Sequence, residues 1–420
     1  MRWDRASGRD GRPLLVCDLT QSYSPSGGGG ISTYLREKRD YVLAETPHRL
    51  LQIVPGPVDR VTVNGRHIFA EVAADPVRGS PNYRFILRVQ AVRQLLAEYR
   101  PDIIESLCPW VLPWTAIRHR RAFPETALVA GYRTDFPNAH VDRVARSLFG
   151  PVGKVFYWLS LGYAEITYRE FDSVYTLGED ARETLRRRGI TRTSVLPLGV
   201  DTALFHPSRR DPAYRAELGL PGEGPLLAYA GRIDNEKRAD RLIAMMRRLP
   251  PELGAALVMI GDGKLRGDLE REAAGLPVAF VGFEADRARL ARALASSDLY
   301  VSAMADETFG VSIIEAQATG LPVVGVASGA MPARVPEGLG LIGPVDDVDT
   351  MAANVMQLWQ ADRPAMRTAA RAHVEAHFSW SRTFGHLFGT IYPEALAHAR
   401  LRQRARRSVL RRSAERLVME

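Results

Sequence analysis

The sequence predicts an α/β chain of two domains, each a mainly parallel sheet with helices on both faces. Short apolar runs alternate with amphipathic stretches, the pattern of buried parallel strands joined by crossover helices. That alternation stops between Leu198 and Gly224, in LGVDTALFHPSRRDPAYRAELGLPGEG, where Pro, Gly and charge dominate, and then restarts. The 420 residues suffice for two or three domains with proper cores. We expect a first domain over residues 1–205 and a second over 206–384. A terminal helix over 385–420 should pack back on or near the first domain.

Pro13 to Leu19 reads as the first strand, and SYSPSGGGGISTYLREKRDYVLAE follows it. Gly27 to Gly30 form a loop, and an amphipathic helix is expected from about Ser32, a suitable N-cap. Strand, glycine loop and helix is how a doubly wound domain presents a phosphate site, although a mobile turn fits this stretch equally well. His48 to Val54 reads as a strand, Asn82 to Tyr99 as a helix, and Ile103 to Leu107 and Thr126 to Tyr132 as strands. Ligands of such sheets bind beyond the carboxyl ends of strands, where Tyr132-Arg133-Thr134-Asp135-Phe136-Pro137 falls. Asp135 could contact sugar hydroxyls, and Arg133 could hold a phosphate or orient an acceptor; a surface turn tied by an Arg–Asp pair is the other reading. Leu148 to Tyr168 is rich in aromatics, which suit core packing or an apolar lip for a lipid. Phe171–Thr176 and Thr193–Pro197 are strands flanking a helix over Glu179–Arg188.

The second half opens with a strand, Leu226 to Ala230, then the polar loop Gly231-Arg232-Ile233-Asp234-Asn235-Glu236-Lys237 and a helix over Ala239–Leu249. Arg232 and Lys237 could clamp a diphosphate, one as a fork of donors and one as a point charge. Taken alone, this spacing also fits solvated charge near a helix start. The strand Ala256–Ile260 ends in the turn Gly261-Asp262-Gly263. The strand Val278–Val281 leads to Phe283, which could lie along a base. A helix over Arg287–Ala295 and a strand over Leu299–Ser302 follow.

That strand runs into SAMADETFGVSIIEAQATGLPVV, the stretch with most chemistry in it. Glu307 lies in a loop, a helix begins near Val311, and Glu315 lies within the helix. Gly310 lets backbone approach a ligand, and the free N–H groups around Thr308, Phe309, Gly310 and Val311 form an anion site. A loop carboxylate accepts from hydroxyls. Anion donors and a hydroxyl acceptor in one place suggest a sugar nucleotide. Asp347 and Asp349 lie at a helix start, where carboxylates act as caps, and are rejected as a metal site.

Bulk properties narrow the field. No apolar run approaches the ~20 residues of a membrane span, and MRWDRASGRDGRP lacks the apolar segment of a secretory leader. Cys17 and Cys108 sit in strand-like runs and read as buried free thiols of a reducing compartment. The net charge of +8, from 56 basic and 48 acidic residues, suits anionic partners. After Trp380 the chain reads as one helix, kinked or restarted at Tyr392-Pro393. Its tail, residues 398–420, carries eight Arg against two Glu with apolar residues between them. Such a helix can lie on an anionic membrane; a solvated basic tail is the plainer reading, and nucleic acid is not expected.

Together these motifs resemble glycosyltransferase family 4, retaining enzymes of the glycosyltransferase B fold, in which two Rossmann-like domains face each other across a cleft. GRIDNEK at Gly231–Lys237, GDG at Gly261–Gly263 and ETFGVSIIEAQATGLPVV at Glu307–Val324 carry most of the resemblance, joined by LPLGVDTALFHP at Leu196–Pro207 and the glycine loop at Gly27–Gly30. The resemblance implies that Arg232 and Lys237 neutralise the donor diphosphate and Glu307 holds the hydroxyls of the transferred sugar beside Phe309 and Gly310. Glu315 would bind ribose hydroxyls, while Gly28 and Gly29 close on phosphate from the other domain. It also implies no cofactor or metal, with the leaving diphosphate helping to take the acceptor proton. Two positions depart from the family pattern: Arg133 stands where many members have His, and Ala333 where a Glu is often found.

The expected activity is retaining transfer of a hexose-type sugar from a nucleotide diphosphate, UDP favoured over GDP. A lipid acceptor at the cytosolic membrane face is expected first, and a cell-surface polysaccharide precursor second. A sugar-nucleotide epimerase of the same fold and a non-catalytic binding protein are the alternatives.

Overall fold

The computed structural model describes residues 12–23, 30–77, 80–133 and 153–419. The chain forms two compact units, Met1–Pro197 with Thr383–Glu420, and Leu198–Arg382. Each is built on a parallel sheet, the two-domain α/β fold expected from the sequence.

Among the described residues, the strands of the first unit are β1 (Leu15–Leu19), β2 (Ser22–Tyr23), β3 (Arg49–Gly56), β4 (Arg60–Asn64), β5 (His67–Ala73), β6 (Pro76–Val77), β7 (Ser80–Phe85), β8 (Ile103–Ser106), β9 (Ala127–Tyr132), β10 (Ser173–Thr176) and β11 (Thr193–Val195). Eight of them form one sheet in the order β11-β10-β9-β8-β1-β3-β5-β4, in which only β4 runs antiparallel to its neighbour. A small antiparallel sheet, β2-β7-β6, lies beside it in sequence. The central strands are buried on both faces, so they read as mainly apolar runs, interrupted by Asp18 in β1 and by Glu105 and Ser106 in β8. Residues 82–85, expected as the start of a helix, belong instead to β7; the helix is confined to Val89–Tyr99. The helix after the glycine loop starts at Gly30, and Ser32 lies inside it, half a turn in and buried.

That helix, Gly30–Glu45, buries Tyr34, Leu35, Lys38 and Val42 on one stripe. Lys38 is fully buried and ion-paired with Asp18 of β1 and, at 2.6 Å, with Glu105 of β8. Tyr34 and Tyr175 donate to one Glu105 oxygen, at 2.7 and 2.6 Å, and Tyr392 donates to the other. Gln52 donates to Asp18 at 3.0 Å. Burial pushes the Asp18 carboxyl up, and Lys38 beside it opposes that shift. Tyr392 opens the terminal helix Tyr392–Met419, and the network ties that helix to β1 and β8. Before it, Trp380–His386 is helical and Leu387–Ile391 forms a wider π-type turn. Pro393 has no N–H to donate one turn back, which accounts for the irregularity placed there.

The second unit contains β12 (Leu226–Ala230), β13 (Ala256–Ile260), β14 (Val278–Gly282), β15 (Leu299–Val301), β16 (Val323–Val326) and β17 (Gly340–Gly343). They form one parallel sheet in the order β14-β13-β12-β15-β16-β17. The order reverses between β12 and β15, the two central strands, so the loops that follow them diverge at the carboxyl end of the sheet. Asp347 caps the helix Val348–Gln360 by accepting from Thr350 N at 2.9 Å, while Asp349 pairs with Arg248 at 2.8 Å.

Candidate functional site

Four neighbouring strands deliver their carboxyl-end loops to the switch point of the second sheet. β12 supplies Gly231–Arg238 and β13 supplies Gly261–Gly263. β15 leads to Glu307–Gly310 and β16 to Ser328–Ala330. Their contacts show why glycine is needed. A Cβ on Gly261, where φ is +145°, would lie 1.8 Å from Gly231 O; one on Gly263 would lie 2.2 Å from Ile233 O. Ile233 N donates to Asp262 O at 2.9 Å. The GDG turn therefore serves first to let two backbones touch. Gly329, at φ +57°, is pressed against the Glu307 backbone, where its Cβ would lie 2.7 Å from Glu307 O; Ala330 N donates to that oxygen at 2.7 Å.

Lys237 and Glu307 meet across the switch point, Nζ to Oε2, at 3.1 Å, both mostly shielded from solvent. Lys237 Nζ also contacts Met304 Sδ at 2.8 Å. The other Glu307 oxygen accepts from Gly310 N at 3.0 Å. Gly310, at φ +81°, is the N-terminal flank of the helix Val311–Ala318, which has no side-chain cap of its own residue. A carboxylate, a buried-edge lysine and the positive end of a helix thus converge on one point. Tyr300 fixes the assembly from below: its hydroxyl donates to Ala230 O at 3.1 Å and lies 2.8 Å from Ser312 Oγ.

The remaining expected residues of the second unit have surroundings of their own. Arg232 is exposed and pairs within its own loop with Asp234 and, at 3.0 Å, with Glu236. Thr308 is exposed, Phe309 buried and Val311 half-buried. Phe283, after β14, is 65% exposed. Glu315 is buried and held by Arg287, whose guanidinium also lies over the Phe205 ring at 4.8 Å. Burial pushes the Glu315 carboxyl up, and Arg287 opposes that shift.

In the first unit, Arg133 follows β9 with its guanidinium 4.3 Å from the Tyr34 ring centroid. Its Nη1 is buried without a hydrogen-bond partner. Gly30 opens a helix; Gly28, Gly29 and Asp135 lie outside the described residues, as do the side chains of 407 and 409–420 in the basic tail. Of that tail, Arg402 pairs with Asp172.

Two arginines of this region escaped sequence reasoning. Arg287 sits at the start of a helix whose charged face looks solvated. Arg334, in MPARV, falls in a four-residue helix too short to show periodicity. It is nonetheless buried, and its Nε donates to Phe309 O at 2.8 Å.

Comparison with known proteins agrees with this architecture. The model of "Glycosyltransferase Family 4" matches residues 28–204, and that of "Glycosyl transferases group 1" matches 224–361. A GDP-mannose-dependent alpha-(1-6)-phosphatidylinositol dimannoside mannosyltransferase of Mycobacterium tuberculosis (strain ATCC 25177 / H37Ra) is 30% identical over 393 residues, 90% of this chain and 96% of that protein. The sulfoquinovosyl transferase SQD2 of Arabidopsis thaliana is 30% identical over 311 residues, 72% of this chain and 56% of its own length. Among solved structures, sucrose-phosphate synthase from Thermosynechococcus elongatus superposes with a TM-score of 0.71 at 22% identity, over 91% of this chain and 99% of that one. Fold and matches define a glycosyltransferase of the B fold. The chain belongs to glycosyltransferase family 4. The expected preference for UDP has no support in these relatives, the first of which is named for GDP-mannose.

Among the described residues no helix is long and apolar enough to cross a membrane.

Proposed function

We propose that the protein transfers mannose from GDP-mannose to a hydroxyl of a phosphatidylinositol-type glycolipid, with retention at the anomeric carbon and without a metal. The observation that carries the donor side is the Lys237–Glu307–Gly310 convergence at the switch point. Breaking the sugar–phosphate bond builds negative charge on the diphosphate and positive charge on the sugar ring. Lys237, Arg232 and the N–H groups at the start of the helix Val311–Ala318 stabilise the first where it develops. Glu307 accepts hydrogen bonds from sugar hydroxyls, and Glu315, beside Arg287, accepts from ribose hydroxyls. The β- and α-phosphate oxygens that leave carry the proton taken from the acceptor hydroxyl. The nucleotide and the acceptor follow the mycobacterial relative, which the chain matches over nearly its whole length. The basic stretch 398–420 would hold the enzyme at the anionic inner face of the membrane that carries such a lipid.

The test is transfer of labelled sugar from GDP-mannose, UDP-glucose and a nucleotide-activated sulfoquinovose into vesicles containing phosphatidylinositol mannosides. We expect label in the lipid fraction from GDP-mannose alone, falling by about 10²-fold or more in Glu307→Gln. Transfer from the sulfoquinovose donor would instead assign the sugar of the plant relative. A new epimer formed from donor without acceptor would overturn the transferase reading.

A further inference from the structure

We infer that Arg334 is a positioning residue for the donor diphosphate, acting through the peptide bond between Phe309 and Gly310. This inference rests on the donor reading of the switch-point site. Arg334 is 6% exposed, and its guanidinium lies against two rings, 4.2 Å from the Phe309 centroid and 4.9 Å from that of Phe378. Its Nε donates to Phe309 O at 2.8 Å. The Arg334 carbonyl accepts from Gln317 Nε2 at 2.7 Å, which anchors it to the helix Val311–Ala318. Residue and loop are therefore held from three sides.

The consequence follows from the shared peptide unit. Phe309 C=O and Gly310 N–H belong to one amide, so a cation on the oxygen withdraws electron density from the nitrogen. Gly310 N–H becomes a stronger donor, and it is this N–H that faces the Glu307 carboxylate at 3.0 Å. Arg334, the amide and Glu307 form one line of alternating charge and dipole through a shielded region. An anionic diphosphate oxygen that takes the place of the Glu307 carboxylate at this N–H, as Glu307 turns to the sugar hydroxyls, receives the same reinforcement. Burial pushes the Arg334 guanidinium down to about 10, with Glu307 opposing, so the residue remains a cation at neutral pH. Lysine at 334 would keep the charge but lose the planar fork that both stacks on two rings and aims one N–H at the carbonyl.

The test uses full-length wild type, Arg334→Lys and Arg334→Met, each titrated calorimetrically with GDP and with guanosine, and each assayed for transfer. In Arg334→Met we expect GDP affinity to fall about tenfold or more while guanosine affinity stays within about twofold. We expect kcat to fall by more than KM rises, with Arg334→Lys recovering part of the loss. Equal affinities of all three proteins for GDP would overturn the inference. An equal loss for GDP and guanosine would also overturn it, because it would assign Arg334 to holding the loop alone. Wild type that binds neither GDP nor UDP would instead sink the donor reading, and this inference with it.

Discussion

Glu307 is asked to satisfy a lysine on one oxygen and a helix N-terminus on the other, which fixes a flexible side chain in a single orientation. Neither contact is strong alone, but both hold the same carboxylate, and the Ser328–Ala330 loop holds its backbone. A different single residue sets a pH response. His119 lies in the helix Leu112–Ala122, is buried, and stacks on Phe123 with centroids 4.6 Å apart. Its Nε2 is buried without a hydrogen-bond partner. Burial pushes it down to about 4 from an ordinary 6.5. Between those values the unfolded chain binds more protons than the folded one. The stability tied to this group is thus fully present above about pH 6.5 and is lost as pH falls toward 4. Denaturant unfolding at pH 7 and pH 5 should show wild type losing of the order of 2 kcal/mol more than His119→Phe. Equal losses in the two proteins would show that His119 is charged in the folded state.

Loops packed against loops decide the second unit at the scale of elements. Gly263 has no room for a Cβ because the backbone of Ile233 is in the way, whereas Gly267, one turn on in the helix Arg266–Glu272, faces open space. Gly263→Ala should therefore destabilise the second unit by about 2–4 kcal/mol and weaken donor binding as the Gly231–Arg238 loop shifts. Gly267→Ala should stabilise it by about 0.5–1 kcal/mol, since alanine is the better helix former. Thermal melts of the two variants check both signs, and destabilisation by both would mean that the backbone contact is not the cause. Much of this arrangement was legible in the sequence. LLAYA and ALVMI are apolar throughout because parallel strands are covered on both faces, and each is followed by its polar loop. What periodicity could not show was the hairpin β4–β5, whose first strand, RVTVN, is exposed along its whole length. Nor could it show Arg334, whose burial depends on two phenylalanines far away in sequence.

For the whole molecule, the first unit is organised by one buried cation, and the switch point of the second by one mostly shielded one. Lys38 was readable in principle: it interrupts the apolar stripe Tyr34, Leu35, Val42, and single acids interrupt the apolar strands around Asp18 and Glu105. Only the fold brings those three charges together with Tyr392, more than 280 positions after Glu105. A buried lysine with two acids and a ring of phenols is a fixed structural anchor, and its partners leave it no donor to spare. Lys237 differs in lying in the loop after the central strand β12, partly open to solvent and paired with Glu307, for which a ligand can compete.

That contrast identifies the most direct measurement of the central claim, that the switch point of the second sheet holds the donor diphosphate. Full-length protein and its Lys237→Met variant are titrated with GDP by calorimetry, with unfolding curves recorded alongside. The account predicts GDP affinity at least about tenfold weaker in the variant at unchanged stability. Equal affinity for GDP in the two proteins would contradict it.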